Sequence, residues 1–139
     1  MRDLMNNVHM QPAFAPKAAV TDDTAQVSSV CTMGGASSCV LAMVTGTNAD
    51  ADATFTLLIE DSPDNSNWTA VADAYLNGTE VLGSFTFADD GEVRKIGYVG
   101  NQPYVRATLT PANNTGNLFL GGVWITGDLA RSPSANPPA

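Results

Sequence analysis

The sequence predicts an all-β protein: an antiparallel β-sandwich, jelly-roll-like, with an extended N-terminal arm and a flexible C-terminal tail. Three observations carry that expectation. Between Arg94 and Gly127 (RKIGYVGNQPYVRATLTPANNTGNLFLGGVWITG) three β-type runs are separated by two turn signals, and the stretch reads as an antiparallel meander. Within it Val105, Ala107 and Leu109 alternate with Arg106, Thr108 and Thr110, the period of two that sends side chains to opposite faces of a sheet. Elsewhere, Gly, Asn, Asp, Thr and Ser recur between short apolar runs, as a fold of many short strands requires. A chain of 139 residues has room for one core.

The chain divides into an arm over 1–17, a sandwich domain over 18–130 and a Pro-rich tail over 131–139. The arm, MRDLMNNVHMQPAFAPK, has no clean helical or strand period, and Pro12 and Pro16 favour extended backbone before them. Such an arm either frays as a terminus or orders by docking Leu4, Val8 and Phe14 on a neighbouring subunit, with Met1, Met5 and Met10 as adaptable apolar contacts. Ala18–Val30 suggests one or two short edge strands. Ser38–Thr47 is the first strong strand. Both of its faces are apolar, with Cys39, Leu41 and Met43 on one and Val40, Ala42 and Val44 on the other, so it is buried on both sides or turns one face to an interface. Thr54–Glu60 directs Phe55, Leu57 and Ile59 inward. Asp61–Asn67 is a loop, Trp68–Val71 a short returning strand, and Ala72–Asn77 the one place for a helical turn. Glu80–Phe87 is a strand with Phe85 and Phe87 on one face, and Ala88–Gly91 is a tight Asp-Gly turn of the hairpin kind. From Asp128 the periodicity is lost.

Charge narrows the function classes. Fourteen acids face 6 bases, and no Lys or Arg occurs between Ala18 and Val93. Nucleic-acid binding needs a cationic footprint, and anionic membrane surfaces repel an acidic chain, so neither partner is expected. No apolar run reaches the roughly 18–20 residues of a membrane span. The N-terminal stretch has no apolar h-region, and no signal peptide is expected.

Catalytic constellations are not visible. His9 is the single histidine and lies in the Pro-flanked arm, a poor support for a nucleophile–base pair. The many carboxylates fall in turns and on polar strand faces. The oxygen-rich loop Asp61–Asn67 lacks the glycine and terminal glutamate of a calcium-binding EF-hand loop and reads as a polar turn. No phosphate-cradling glycine loop is present, so no enzyme activity and no cofactor are expected. Cys31 and Cys39 flank a Gly34-Gly35 turn. A bridge across it is geometrically open, and a reduced, buried pair is the other reading. Trp68, Tyr75, Tyr98, Tyr104 and Trp124 are dispersed along the chain, which favours core packing or subunit contact over a sugar-binding platform.

MRDLMNN (1–7), FTLLIEDSPDNSNWTAVADAYLNG (55–78) and RKIGYVGNQPYVRATLTP (94–111) resemble a family of small head proteins of tailed bacteriophages. The resemblance covers most of the chain, and its motifs are β-turn-β patterns without an active-site signature. The Cys31–Cys39 segment departs from it. The resemblance implies a virion structural protein on the capsid outer surface, assembled in the bacterial cytoplasm. It would be a decoration or cement protein that binds the major capsid protein and itself, with a trimer over a local threefold as the first expectation. A neck or tail component and a host-surface carbohydrate-binding module are the alternatives. Arg94, Lys95 and Arg106 are half of all the bases. As a cluster they would meet an acidic patch on a neighbouring subunit or on the capsid, whereas internal pairing with acids such as Glu92 is the alternative.

Overall fold

Among the described residues, eleven strands make two antiparallel sheets packed face to face, a β-sandwich, with three short helical turns outside the sheets. The computed structural model describes residues 2–133; Met1 and most of the expected Pro-rich tail lie outside the described residues. The elements are α1 (Leu4–Asn7), β1 (His9–Phe14), β2 (Gln26–Val27), β3 (Cys31–Thr32), β4 (Ser38–Thr45), β5 (Thr54–Ser62), β6 (Thr69–Ala70), β7 (Leu76–Asn77), β8 (Phe85–Thr86), β9 (Val93–Tyr98), β10 (Tyr104–Ala112) and β11 (Leu120–Gly127). Two 3-10 turns, Asp73–Tyr75 and Glu80–Leu82, complete the set. The first sheet runs β1-β11-β4-β9-β7. The second runs β2-β10-β5-β6, with β3 also on β10 and β8 also on β5.

The alternation read from the sequence decides which side chains go inward. Phe55, Leu57 and Ile59 on β5 meet Val105, Ala107 and Leu109 on β10 across nine paired positions, and all six are buried. From the first sheet Leu41 and Met43 on β4, Ile96 and Tyr98 on β9 and Trp124 on β11 close the core. Phe85 stacks on Phe55 with ring centroids 4.8 Å apart, fastening the 80s segment over the sandwich.

Four expectations are corrected. The first concerns the arm. His9–Phe14 is an edge strand of the first sheet, paired with β11 from His9↔Thr126 to Phe14↔Gly122. Phe14 packs in this chain's own core, where Gly122 leaves room: a Cβ there would stand 3.2 Å from the Phe14 ring. A register shift between Pro12 and Phe14 lets the proline sit where its missing N–H is harmless. The second concerns Arg94–Gly127, which is not a meander. β9 and β11 flank β4 in the first sheet, and β10 lies in the second, so each turn crosses between sheets. Tyr98 pins the first crossing: its hydroxyl donates to Asp61 Oδ2 at 2.8 Å and accepts from the Gln102 amide at 3.1 Å. Third, the Asp89-Asp90-Gly91 turn likewise crosses from β8, on β5, to β9, on β4, and makes no hairpin. Fourth, the strand expected over Glu80–Phe87 is cut to Phe85–Thr86. Gly83 has helical backbone and presses on Leu57, which a side chain there would displace.

The segment before β2 is held by Asn114. Its side-chain amide donates to the Val20 and Asp22 carbonyls, both at 3.2 Å, and its backbone amide donates to Asp23. Asn114 is buried, and Asn48 donates to its Oδ1 at 3.2 Å, so the buried carboxamide is satisfied on every side.

Candidate functional site

The two outer faces of the sandwich differ in chemistry. On the second sheet the outward rungs are Thr56–Thr110, Leu58–Thr108 and Glu60–Arg106, a mostly polar surface. On the first sheet the register brings apolar side chains into line. One row runs Met10–Ile125–Val40–Gly97, the next Pro12–Val123–Ala42–Lys95, the third Gly121–Val44–Val93. Val44 is 53% exposed, Val93 66%, Met10 44% and Val123 39%, so the face meets solvent. A monomeric protein normally makes such a face polar, and a contiguous apolar surface marks a contact site. The apolar outer side of β4 is the part that the sequence announces. The contributions of β1, β9 and β11 come from register alone. Toward β7 the face dips into a hollow of about 280 Å³ lined by Val40, Leu82, Lys95 and Gly97. Gly97 has no side chain to fill it, and Asn77 lies over its Cα.

The three bases expected to act together are not brought together. Arg94 and Lys95 point to opposite sides of β9, and Arg106 lies on the outer face of the other sheet. Arg94 sits at the rim of the sandwich between Asp89 at 2.9 Å and Glu92 at 2.7 Å. Its Nε is buried without a hydrogen-bond partner. Arg106 Nε donates to Glu60 Oε2 at 2.9 Å, and its guanidinium lies 4.3 Å from the centre of the Trp68 ring. Among the described residues Lys95 has no carboxylate within salt-bridge distance; it is exposed on the apolar face. Of the arm residues, Leu4 is exposed on α1, Val8 is half-buried and Phe14 belongs to the core, so they form no common stripe.

The Arg106 pair is a half-buried ion pair capped by an aromatic ring, and its loss has a modest expected cost. Arg106→Ala should lower stability by about 1 kcal/mol in denaturant titration. Arg106→Glu should lower it further, because two carboxylates would then oppose each other across one rung. Equal loss of folding and of assembly would mark the pair as internal support only.

Other side chains with chemical potential are committed locally. Trp124 is 1% exposed and donates from Nε1 to the Ser29 carbonyl at 3.0 Å, so it cannot stack on a sugar. Tyr75 is 54% exposed, and Trp68 is half-buried over Arg106. Burial and the bond to Asp61 push the Tyr98 hydroxyl well above the usual phenol range.

In the Asp61–Asn67 loop, Asp64 turns on its own backbone. Its Oδ1 accepts from the Asn67 amide at 2.8 Å and the Ser66 amide at 2.9 Å, and its Oδ2 accepts from the Asn67 side chain. These amides, Asn67 first, hold the carboxyl far below the usual carboxylate range. A depressed folded value means that this contribution is present above the ordinary value of about 3.9 and is lost as pH falls through the folded one. Asp64→Ala should therefore speed amide exchange at Ser66 and Asn67 at neutral pH, with little change in the global melting temperature. Unchanged exchange would show that the turn holds without the carboxylate.

No protein-family model matches the chain, and no curated protein sequence does. Among solved structures, the PBSX exported protein XepA superposes with a TM-score of 0.55 at 13% identity, over 88% of this chain and 37% of that one. The chain thus spans little more than a third of XepA. The disulfide-linked pili of Bacillus endospore appendages give 0.49 at 8% identity, over 94% of this chain and 96% of that one. The CBM22-1 xylan-binding domain of Paenibacillus barcinonensis Xyn10C gives 0.47 at 9% identity, over 88% of both chains. At such identity the XepA likeness speaks for the fold alone.

Proposed function

We propose that this chain is a structural virion protein that decorates and stabilises a bacteriophage capsid by binding the major capsid protein through the apolar outer face of its five-stranded sheet. The observation that carries this reading is that face: three aligned, mostly apolar rows in which Met10, Val44, Val93 and Val123 are solvent-exposed, with Lys95 as its charged member. Burying such a face on a partner yields about 25 cal/mol per Å² of apolar area. Lys95 would answer an acidic group on the capsid. The acidic remainder of the surface, in a chain of net charge −8, would face away and discourage nonspecific sticking to anionic polymers. Self-association, with a trimer over a local threefold as the first choice, belongs to the same proposal. The resemblance of the 1–7, 55–78 and 94–111 segments to phage head proteins supports it.

The experiment is cosedimentation of the purified protein with tail-free heads that lack it. Saturable binding in many copies per head, with a rise in the heat resistance of the particles, is expected. Heads that bring down none of it would refute the assignment, and binding confined to necks or tails would move the protein there. A second reading, a carbohydrate-binding module, draws on the exposed ring of Tyr75. Glycan-array binding that Tyr75→Ala abolishes would favour it.

A further inference from the structure

Cys31 and Cys39 lie on different sheets. Cys31 is on β3, paired with β10, and Cys39 is on β4, between β11 and β9. Their sulfurs nevertheless face each other in the core at 3.6 Å, and the residues are 0% and 2% exposed. Both are free thiols. A disulfide needs a separation of about 2.05 Å, a closure within reach of small side-chain rotations. We propose that this pair is an oxidation site: the two thiols close to an intrachain disulfide that staples one sheet to the other, with a low-molecular-weight disulfide of the glutathione type as oxidant.

The surroundings assign the roles. Gln11 on β1 donates from Nε2 to Cys31 Sγ at 3.7 Å while its carboxamide also pairs with the Thr32 backbone, donating to the carbonyl at 2.9 Å and accepting from the amide at 3.0 Å. That donor is aimed at the sulfur of Cys31 and not at that of Cys39. Cys39, by contrast, is pushed far above the usual thiol range by its hydrogen bond to Cys31 and by burial. Cys31, on the short strand and with a donor at its sulfur, is the first nucleophile, and Cys39 is the resolving thiol. Access comes through β3, which has only two ladder residues and leads into the Gly34-Gly35 turn, where both glycines have positive φ. Such a short strand opens locally more easily than the long central strands.

The chemistry balances. Cys31 gives up its proton and its sulfur attacks one sulfur of glutathione disulfide, whose S–S bond breaks, and one glutathione leaves as the thiol with that proton. Cys39 gives up its proton and attacks Cys31 Sγ, and the second glutathione leaves. The two cysteines lose two electrons and two protons together, and the oxidant becomes two glutathione thiols.

The test compares one wild-type preparation, reduced and after incubation with glutathione disulfide. The expected result is an intact mass lower by two hydrogens and no thiol open to alkylation after denaturation. The melting temperature should rise by about 5–10 °C, as closing a short loop predicts for a chain of this size. Dithiothreitol should reverse the rise, and Cys31→Ala and Cys39→Ala should each abolish it. Two thiols still alkylatable after oxidation, a stable glutathione adduct, a dimer linked between chains, or a bridged form that melts lower than the reduced one would each overturn the proposal.

Discussion

Trp124→Ala is expected to destabilise the protein by about 3–5 kcal/mol, the largest single effect in the chain. The indole is the largest side chain among those essentially excluded from solvent. It stands on the central part of β11, opposite Leu41 on one side and Gln11 on the other, so the cavity left behind would be walled by strands on both sides and could not collapse. Its Nε1–H also satisfies the Ser29 carbonyl, which links the segment between β2 and β3 to the first sheet. Trp124→Phe separates the two contributions. It keeps most of the apolar volume but removes the donor, so a smaller loss, about 1–3 kcal/mol, is expected. Denaturant midpoints at constant slope are the measurement. A Trp124→Ala variant that folds with near-normal stability would show that the core is not organised around this ring.

Val44→Lys and Val44→Glu are expected to weaken binding to heads by at least about 30-fold, equivalent to 2 kcal/mol of a central contact. Val44 lies on the outward side of β4, paired with Gly121 and Val93, and is 53% exposed. A charge there meets water in the free protein, so the melting temperature should move by only a few degrees. In a docked state the same charge would be buried without a partner. The two signs serve as mutual controls. Loss with both identifies apolar docking. Loss with one alone identifies a charged field, and no loss with either rejects this face as the contact. Lys95→Ala on the neighbouring row should reduce binding less and flatten its salt dependence.

What the chain order conceals is clear from the bases. Arg94 and Lys95 are adjacent, and Arg106 follows at a distance typical of a hairpin, so a single cluster is the natural reading. A strand sends neighbours to opposite faces, and the turn between β9 and β10 changes sheet. The three charges therefore end at a rim, on one outer face and on the other. Arg106 was legible as a residue opposite the Val105/Ala107/Leu109 face, and it is. Its partners Glu60 and Trp68 were not legible, because strand pairing between β5 and β10 has no local signature. The same holds for the cysteines: the turn between them is visible, but not that it leads from one sheet to the other.

Local pattern along the chain was enough for the class and for the inward half of each long strand. Alternation fixes which side chains are apolar on one face, and Gly, Pro, Asn and Asp mark where strands stop; both are properties of a few consecutive residues. The long strands β4, β5, β10 and β11 accordingly lie close to where they are expected, with their apolar faces in the core. The pairing partners came from the folded arrangement. It sent the strands from β6 to β11 to alternate sheets, drew His9–Phe14 into the first sheet, and lined up the outward residues of β1, β11, β4 and β9 as one apolar face. The physical reason is that a ladder hydrogen bond is the same between any two strands. Which strands meet is settled by joint burial of side chains far apart in the chain, and that information is carried by no single stretch of it.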